Sequence, residues 1–102
     1  DLLKNSLSYK KTSFAYKWLG QIELLRNNYP QAINYLKNAN MNDSQVIFNL
    51  SRAYYYNNQI SEGDNYFYLL QNIAPKSRYY DYLSKLRILI KNNIPIPKIE
   101  IN

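Results

Sequence analysis

Residues 16–39, YKWLGQIELLRNNYPQAINYLKNA, and residues 47–70, IFNLSRAYYYNNQISEGDNYFYLL, fall on one another when the chain is shifted by 31 residues. Tyr16 meets Ile47, Leu19 meets Leu50, Asn27 meets Asn58 and Tyr29 meets Ile60. Further along, Tyr35 meets Tyr66, Leu36 meets Phe67 and Ala39 meets Leu70. Large apolar positions stay large, and small ones stay small: Gly20 falls on Ser51 and Ala32 on Gly63. A fixed internal period of this length marks a stacked-repeat chain, in which each unit buries its apolar face against the next.

Each unit reads as two helices. Phe14, Ala15, Trp18, Leu19, Ile22 and Leu25 follow helical spacing, and Arg26-Asn27-Asn28-Tyr29-Pro30 ends the run. Pro30 suits the first turn of a second helix, where its missing N–H costs nothing. Ala32, Ile33, Leu36 and Ala39 give that helix its stripe, and the polar stretch from Asn40 to Ser44 stops it. Val46, Ile47, Leu50, Ala53 and Tyr54 repeat the first pattern, Asn57-Asn58-Gln59 makes the turn, and Phe67, Leu70 and Ile73 repeat the second. Asn at both turns suits the left-handed conformation that a helix C-terminus often takes. Gly inside a helix costs roughly 1 kcal/mol against Ala. Its presence therefore asks for close helix contact, which pairs Gly20 with Ala32 and Ser51 with Gly63.

The two units resemble tetratricopeptide repeats. Tyr16-x2-Leu19-Gly20 with Ala32-x3-Leu36, then Ile47-x2-Leu50-Ser51-x2-Tyr54 with Gly63-x3-Phe67 and Pro75, follow the family pattern. Tyr16 and Ile47 replace its Trp, Glu23 replaces its aromatic, and the first unit lacks the closing Pro. The period is about three short of the family's 34, which predicts a tight link at Met41-Asn42-Asp43. The fold the resemblance implies is all-α, a right-handed superhelix of helical hairpins. Residues 1–12 read as the end of a preceding helix or partial repeat, 13–43 and 44–77 as the two units, and 78–92 as a capping helix. That last helix carries Tyr79, Tyr82, Leu83, Leu86, Leu89 and Ile90 on its apolar face. Residues 93–102 form an extended tail, because Pro95 and Pro97 push their predecessors out of helical geometry. Four isoleucines in that tail (Ile94, Ile96, Ile99 and Ile101) suggest that it packs back on the helices or docks on a neighbour.

Composition narrows the chemistry. The 102 residues contain no Cys and no His, and the only glycines are Gly20 and Gly63. Thiol nucleophiles, His-based relays, thiolate or imidazole metal sites and Gly-rich phosphate loops are therefore out of reach. Glu23, Glu62, Asp64 and Asp81 are isolated carboxylates, so the expectation is a non-enzyme with no cofactor and no metal. No run of 18 apolar residues occurs that would span a membrane. The net charge of +6 is carried by the two ends, +3 over residues 1–17 and +4 over residues 76–102, against −1 between them. The excess of Asn, Ile and Tyr reads as a genomic bias toward AT-rich codons. The chain opens at Asp1 without Met, which reads as a processed form or a fragment.

Proteins with this repeat line a concave groove with the first helix of each unit and hold a partner's peptide or helix there. The resemblance therefore implies a groove of Phe14, Lys17, Gln21 and Leu24, then Gln45, Phe48, Asn49, Arg52 and Tyr55, closed by Tyr79 and Tyr82. Tyr and Arg are favoured where binding energy concentrates. Lys17 and Asn49 also fall where such domains clamp a C-terminal carboxylate, but Gln21, Tyr79 and Leu83 depart from that clamp. The expected role is a protein–protein adaptor, with self-association through the open ends or the tail as a further route. A neighbouring expectation is a bacterial cell-envelope assembly factor on the periplasmic side, since outer-membrane assembly lipoproteins share the repeat. Nucleic-acid binding is the competing class: Tyr54-Tyr55-Tyr56 and Tyr79-Tyr80, beside Arg52, Arg78 and Arg87, offer rings to stack and charges for phosphate.

Overall fold

The computed structural model describes the backbone of residues 2–99 and the side chains of residues 12–99. Among the described residues the protein is all-α. Its helices are α1 (Leu2–Leu25), α2 (Tyr29–Lys37), α3 (Ser44–Tyr56), α4 (Ile60–Ile73) and α5 (Arg78–Lys91). The segment from Ile94 to Ile99 is irregular.

Helix starts and stops follow local chemistry. The Asp43 carboxylate caps α3 by accepting from the Gln45 N–H at 2.9 Å, and Ser77 Oγ caps α5 by accepting from the Tyr80 N–H at 3.2 Å. Pro30 sits in the first turn of α2. The helices α1, α3 and α5 end alike. Asn27, Asn58 and Asn93 take the left-handed conformation at φ 63°, 62° and 58°. The next N–H in each case bonds back across the end: Asn28 to Glu23 O, Gln59 to Tyr54 O and Ile94 to Leu89 O, at 2.8–2.9 Å. These are three copies of one helix-ending motif, and Asn is the side chain best able to replace Gly in it.

Two expectations are corrected. The stretch 1–12, expected as the end of a preceding helix, is from Leu2 onward part of α1, which runs unbroken for 24 residues, since neither Pro nor Gly lies between Leu2 and Phe14. Of that stretch, the side chains of Leu2, Leu3 and Leu7 lie outside the described residues. Gly20 answers Leu36 rather than Ala32: a Cβ at Gly20 would overlap the Leu36 side chain. In the second hairpin Ser51 does face Gly63, donating from Oγ to the Gly63 carbonyl at 2.8 Å. The space beside Gly63, however, is filled by the Tyr55 ring. The short period has its source in α2, nine residues against the fourteen of α4. A turn closed by the Asp43 N–H on Asn40 O at 3.1 Å then leads directly into α3.

Neighbours in sequence are neighbours in space. α1 lies on α2, α2 on α3 and α3 on α4, and α5 closes against α3 and α4. The molecule is elongated, 53 × 29 × 26 Å. Helix α3 is its axis, with nine of thirteen residues buried. Val46, Leu50, Ala53 and Tyr54 join Leu24, Ala32, Ile33, Leu36 and Ala39 in one core. Ile47, Phe48 and Tyr55 join Phe67, Leu70, Leu83 and Leu86 in a second. The tail returns over the helices: Ile96 packs on the second core and Ile99 enters the first, only 8% exposed. Glu100 and Ile101 lie outside the described residues.

Candidate functional site

Phe48 stands on the side of α3 that meets α5, and three groups converge on its ring. Tyr79 stacks on it with centroids 4.8 Å apart and planes 26° apart. Tyr82 meets it edge-on at 5.4 Å and 84°. The Arg52 guanidinium lies over its face, 4.6 Å from the centroid. Arg52 is held in that pose by its Nε–H, which donates to Asn49 Oδ1 at 3.0 Å. Burial depresses the Arg52 guanidinium from its ordinary value, and the Tyr82 hydroxyl opposes the shift. Arg52 nonetheless stays charged at physiological pH, as Arg in proteins does. Phe48 itself is core, 7% exposed, whereas Arg52, Tyr79 and Tyr82 are half-exposed.

Asn49 is 1% exposed, and its Nδ2 has no hydrogen-bond partner among the described residues; the same holds for Gln21 Nε2 on α1. Two amide donors are thus sequestered without acceptors, a costly arrangement for buried polar groups. Both belong to helices that read as groove-lining in the sequence.

The other expected site residues are dispersed. Lys17 is engaged with the α3 cap, 2.7 Å from Asp43 Oδ2. Burial works against the Asp43 charge, but Lys17 and the N–H groups of Gln45 and Val46 outweigh it and hold the carboxyl below its usual range. With Lys17 so occupied, a carboxylate clamp loses its first cation. Phe14 is 61% exposed and, with Lys17, borders a cleft of about 790 Å³ against the α2–α3 turn. Gln45 is half-buried beside Asp43. Leu24 is fully buried in the first core and reaches no surface. Tyr55 turns away toward α4: it is 3% exposed and donates its hydroxyl to Asp64 Oδ1 at 2.6 Å. Burial first, then the Asp64 carboxylate, pushes the Tyr55 hydroxyl well above its ordinary value.

Tyr55 belongs to a second cleft, about 560 Å³, between α4 and α5. Arg87 crosses it, donating to Asp64 Oδ1 at 3.1 Å and to the Tyr68 hydroxyl at 3.0 Å, with its guanidinium 4.3 Å over Phe67. Tyr55, Asp64, Tyr68 and Arg87 are thus tied to one another there.

Tyr56, expected only as a ring for nucleic-acid bases, is drawn into the protein instead. It closes α3 beside Tyr29, their ring centroids 5.4 Å apart, and its hydroxyl donates to the Pro97 carbonyl. Burial, then the neighbouring Tyr82 hydroxyl, raises the Tyr56 hydroxyl above its ordinary range. The runs Tyr54-Tyr55-Tyr56 and Tyr79-Tyr80 also read in sequence as rings for nucleic-acid bases. In the structure Tyr54 stacks on Tyr66 at 5.6 Å, Tyr79 on Phe48, and Tyr80 on Phe67 at 5.1 Å. Those faces are spent inside the protein.

Among the described residues no group of three Asp or Glu side chains could hold a metal ion, and no helix is long and apolar enough to cross a membrane. The chain matches no protein-family model, no curated protein and no solved structure.

Proposed function

We propose that the chain is a non-enzymatic protein-interaction module built as a tetratricopeptide-like right-handed superhelix, and that it holds a partner's peptide or helix on the face shared by α3 and α5. The observation that carries this reading is the Phe48, Arg52, Tyr79 and Tyr82 cluster. It presents a partly exposed cation and two partly exposed phenol rings, all braced from beneath by a buried ring. Rigid aromatic anchors and a desolvated Arg are the residues on which interfaces concentrate their binding energy. The cluster needs no rearrangement to present them, so little side-chain entropy is lost on binding.

The repeat reading draws support from the three left-handed Asn endings, at Asn27, Asn58 and Asn93. They make α1, α3 and α5 equivalent helices, each followed by a chain reversal. Under this reading α1, α3 and α5 line one surface, and α2 and α4 back it.

The test is affinity capture from a lysate with the wild-type chain and with an Arg52→Gln/Tyr79→Ser variant. These positions are half-exposed, so the variant is expected to keep its helicity in circular dichroism. A protein retained by the wild type and lost with the folded variant supports the reading. Identical sets on both refute it. Retention of nucleic acid alone, released as salt rises from about 50 to 200 mM, would favour the competing class.

A further inference from the structure

The segment Ile94–Ile99 is bound to this protein in the manner of a ligand. Ile96 is half-buried on the second core and Ile99 buried in the first, while Ile94, Pro95, Pro97 and Lys98 are exposed. The spacing of three between Ile96 and Ile99 matches the turn of a polyproline II helix, which has three residues per turn and no internal hydrogen bonds. A strand would alternate at every second residue instead. Pro95 and Pro97 favour that same conformation.

The attachments agree. Among the described residues no backbone–backbone hydrogen bond ties residues 95–99 to any helix. Two inward isoleucines hold the segment, together with the Tyr56 hydroxyl, which donates to the Pro97 carbonyl. Carbonyls left free by the polyproline geometry are the natural target of a Tyr hydroxyl. Tyr29, its ring centroid 5.4 Å from that of Tyr56, packs with Tyr56 on the same core that Ile99 enters. Aromatic-lined grooves with a hydroxyl donor are how proline-rich peptides are read elsewhere in protein recognition.

We infer that the strip running past Tyr56 and Tyr29 is a recognition site for an extended, proline-containing peptide with apolar side chains at positions i and i+3, and that residues 94–99 fill it in cis. A partner segment of the same chemistry binds by displacing them. The segment is tethered through Asn92 and Asn93, so a competitor works against an effective concentration in the millimolar range or above. The inference does not depend on the reading of the α3–α5 face.

The test uses the full chain with its own segment disabled, Ile96→Asp/Ile99→Asp. The probe is a fluorescein-labelled synthetic peptide of residues 93–99, Asn-Ile-Pro-Ile-Pro-Lys-Ile, followed by fluorescence polarisation. Where the double variant loses helicity, Ile99→Ala takes its place. The opened chain is expected to bind the peptide at least tenfold more tightly than the wild type does. Tyr56→Phe in the opened chain should weaken binding about fivefold, the share of one neutral hydrogen bond. The same peptide with both inward isoleucines changed to Asp should not bind. A folded, opened chain that ignores the peptide, or binds the Asp-bearing peptide equally, overturns the proposal. A wild-type dimer that dissociates on Ile99→Ala overturns the cis occupancy, placing a second copy's segment in the seat.

Discussion

Gly63→Ala should destabilise the protein although it removes a glycine from the middle of a helix. Propensity alone predicts a gain of about 1 kcal/mol. Against that, a Cβ at Gly63 would lie 2.6 Å from Tyr55 Cδ1 and 2.7 Å from Cε1. The Tyr55 ring cannot yield as the end of a flexible side chain would. It is 3% exposed and anchored through its hydroxyl on Asp64, and Ser51 bonds the Gly63 carbonyl from the same side. Overpacking of this kind costs about 1–3 kcal/mol; against a ring pinned this firmly the upper end, about 2–3 kcal/mol, applies, so the net loss is expected at about 1–2 kcal/mol. For a chain of this size that lowers Tm by roughly 4–16 °C. Urea denaturation followed at 222 nm reads the change directly. The diagnostic step is the Tyr55→Leu background, where the ring is gone and Gly63→Ala should become stabilising by some tenths to about 1 kcal/mol. A neutral or stabilising Gly63→Ala in the wild-type background would refute the close approach of α3 and α4 at this point.

Other outcomes follow from single features. Asn58→Gly should be neutral or stabilising and Asn58→Ala destabilising by about 1 kcal/mol, because φ of 62° penalises a Cβ without a compensating polar side chain; thermal melts of the pair decide it. Asp43→Asn keeps a good helix cap but removes the Lys17 ion pair, at a cost of about 1 kcal/mol near neutral pH. Because the folded state lowers the Asp43 pKa, that stabilisation is present above the unfolded value of about 3.9 and is lost as pH falls through the folded one. The gap between wild type and Asp43→Asn should accordingly close on acidification below about pH 4. Ile99→Ala should cost about 2 kcal/mol by emptying a place in the first core, as a urea titration would show.

The fold was legible wherever one residue type answers one local requirement. The Asn-rich turns, Pro30 at the start of α2 and the 31-residue echo place the helices with little help from tertiary contacts. Side-chain destinations were legible only in part: Ser51 does meet Gly63 within its hairpin. Gly20 was matched with Ala32 because both are small, but α1 takes the branched Leu36 side chain against its glycine. Tyr55 and Leu24 stand among the groove residues that the resemblance implies, and helical periodicity fixes a face only to about one residue in either direction. At that tolerance α3, with nine of its thirteen residues buried, offers little polar face to break the tie. Of the expected groove residues, Phe48, Arg52, Tyr79 and Tyr82 meet in space, while Lys17 is diverted to Asp43 through a contact 26 residues distant in sequence. Tyr56 and the segment it holds depend on a contact 41 residues apart, which no local pattern encodes.

The central claim is that the face of Phe48, Arg52, Tyr79 and Tyr82 binds protein. Its most direct test is the comparison of wild-type and Arg52→Gln/Tyr79→Ser chains, matched in helicity, as baits in quantitative mass spectrometry across a salt series. The account predicts a protein that stays with the wild type from about 50 to 200 mM salt and falls at least tenfold with the variant. Equal recovery on both chains, or only nucleic acid lost as salt rises, would contradict it.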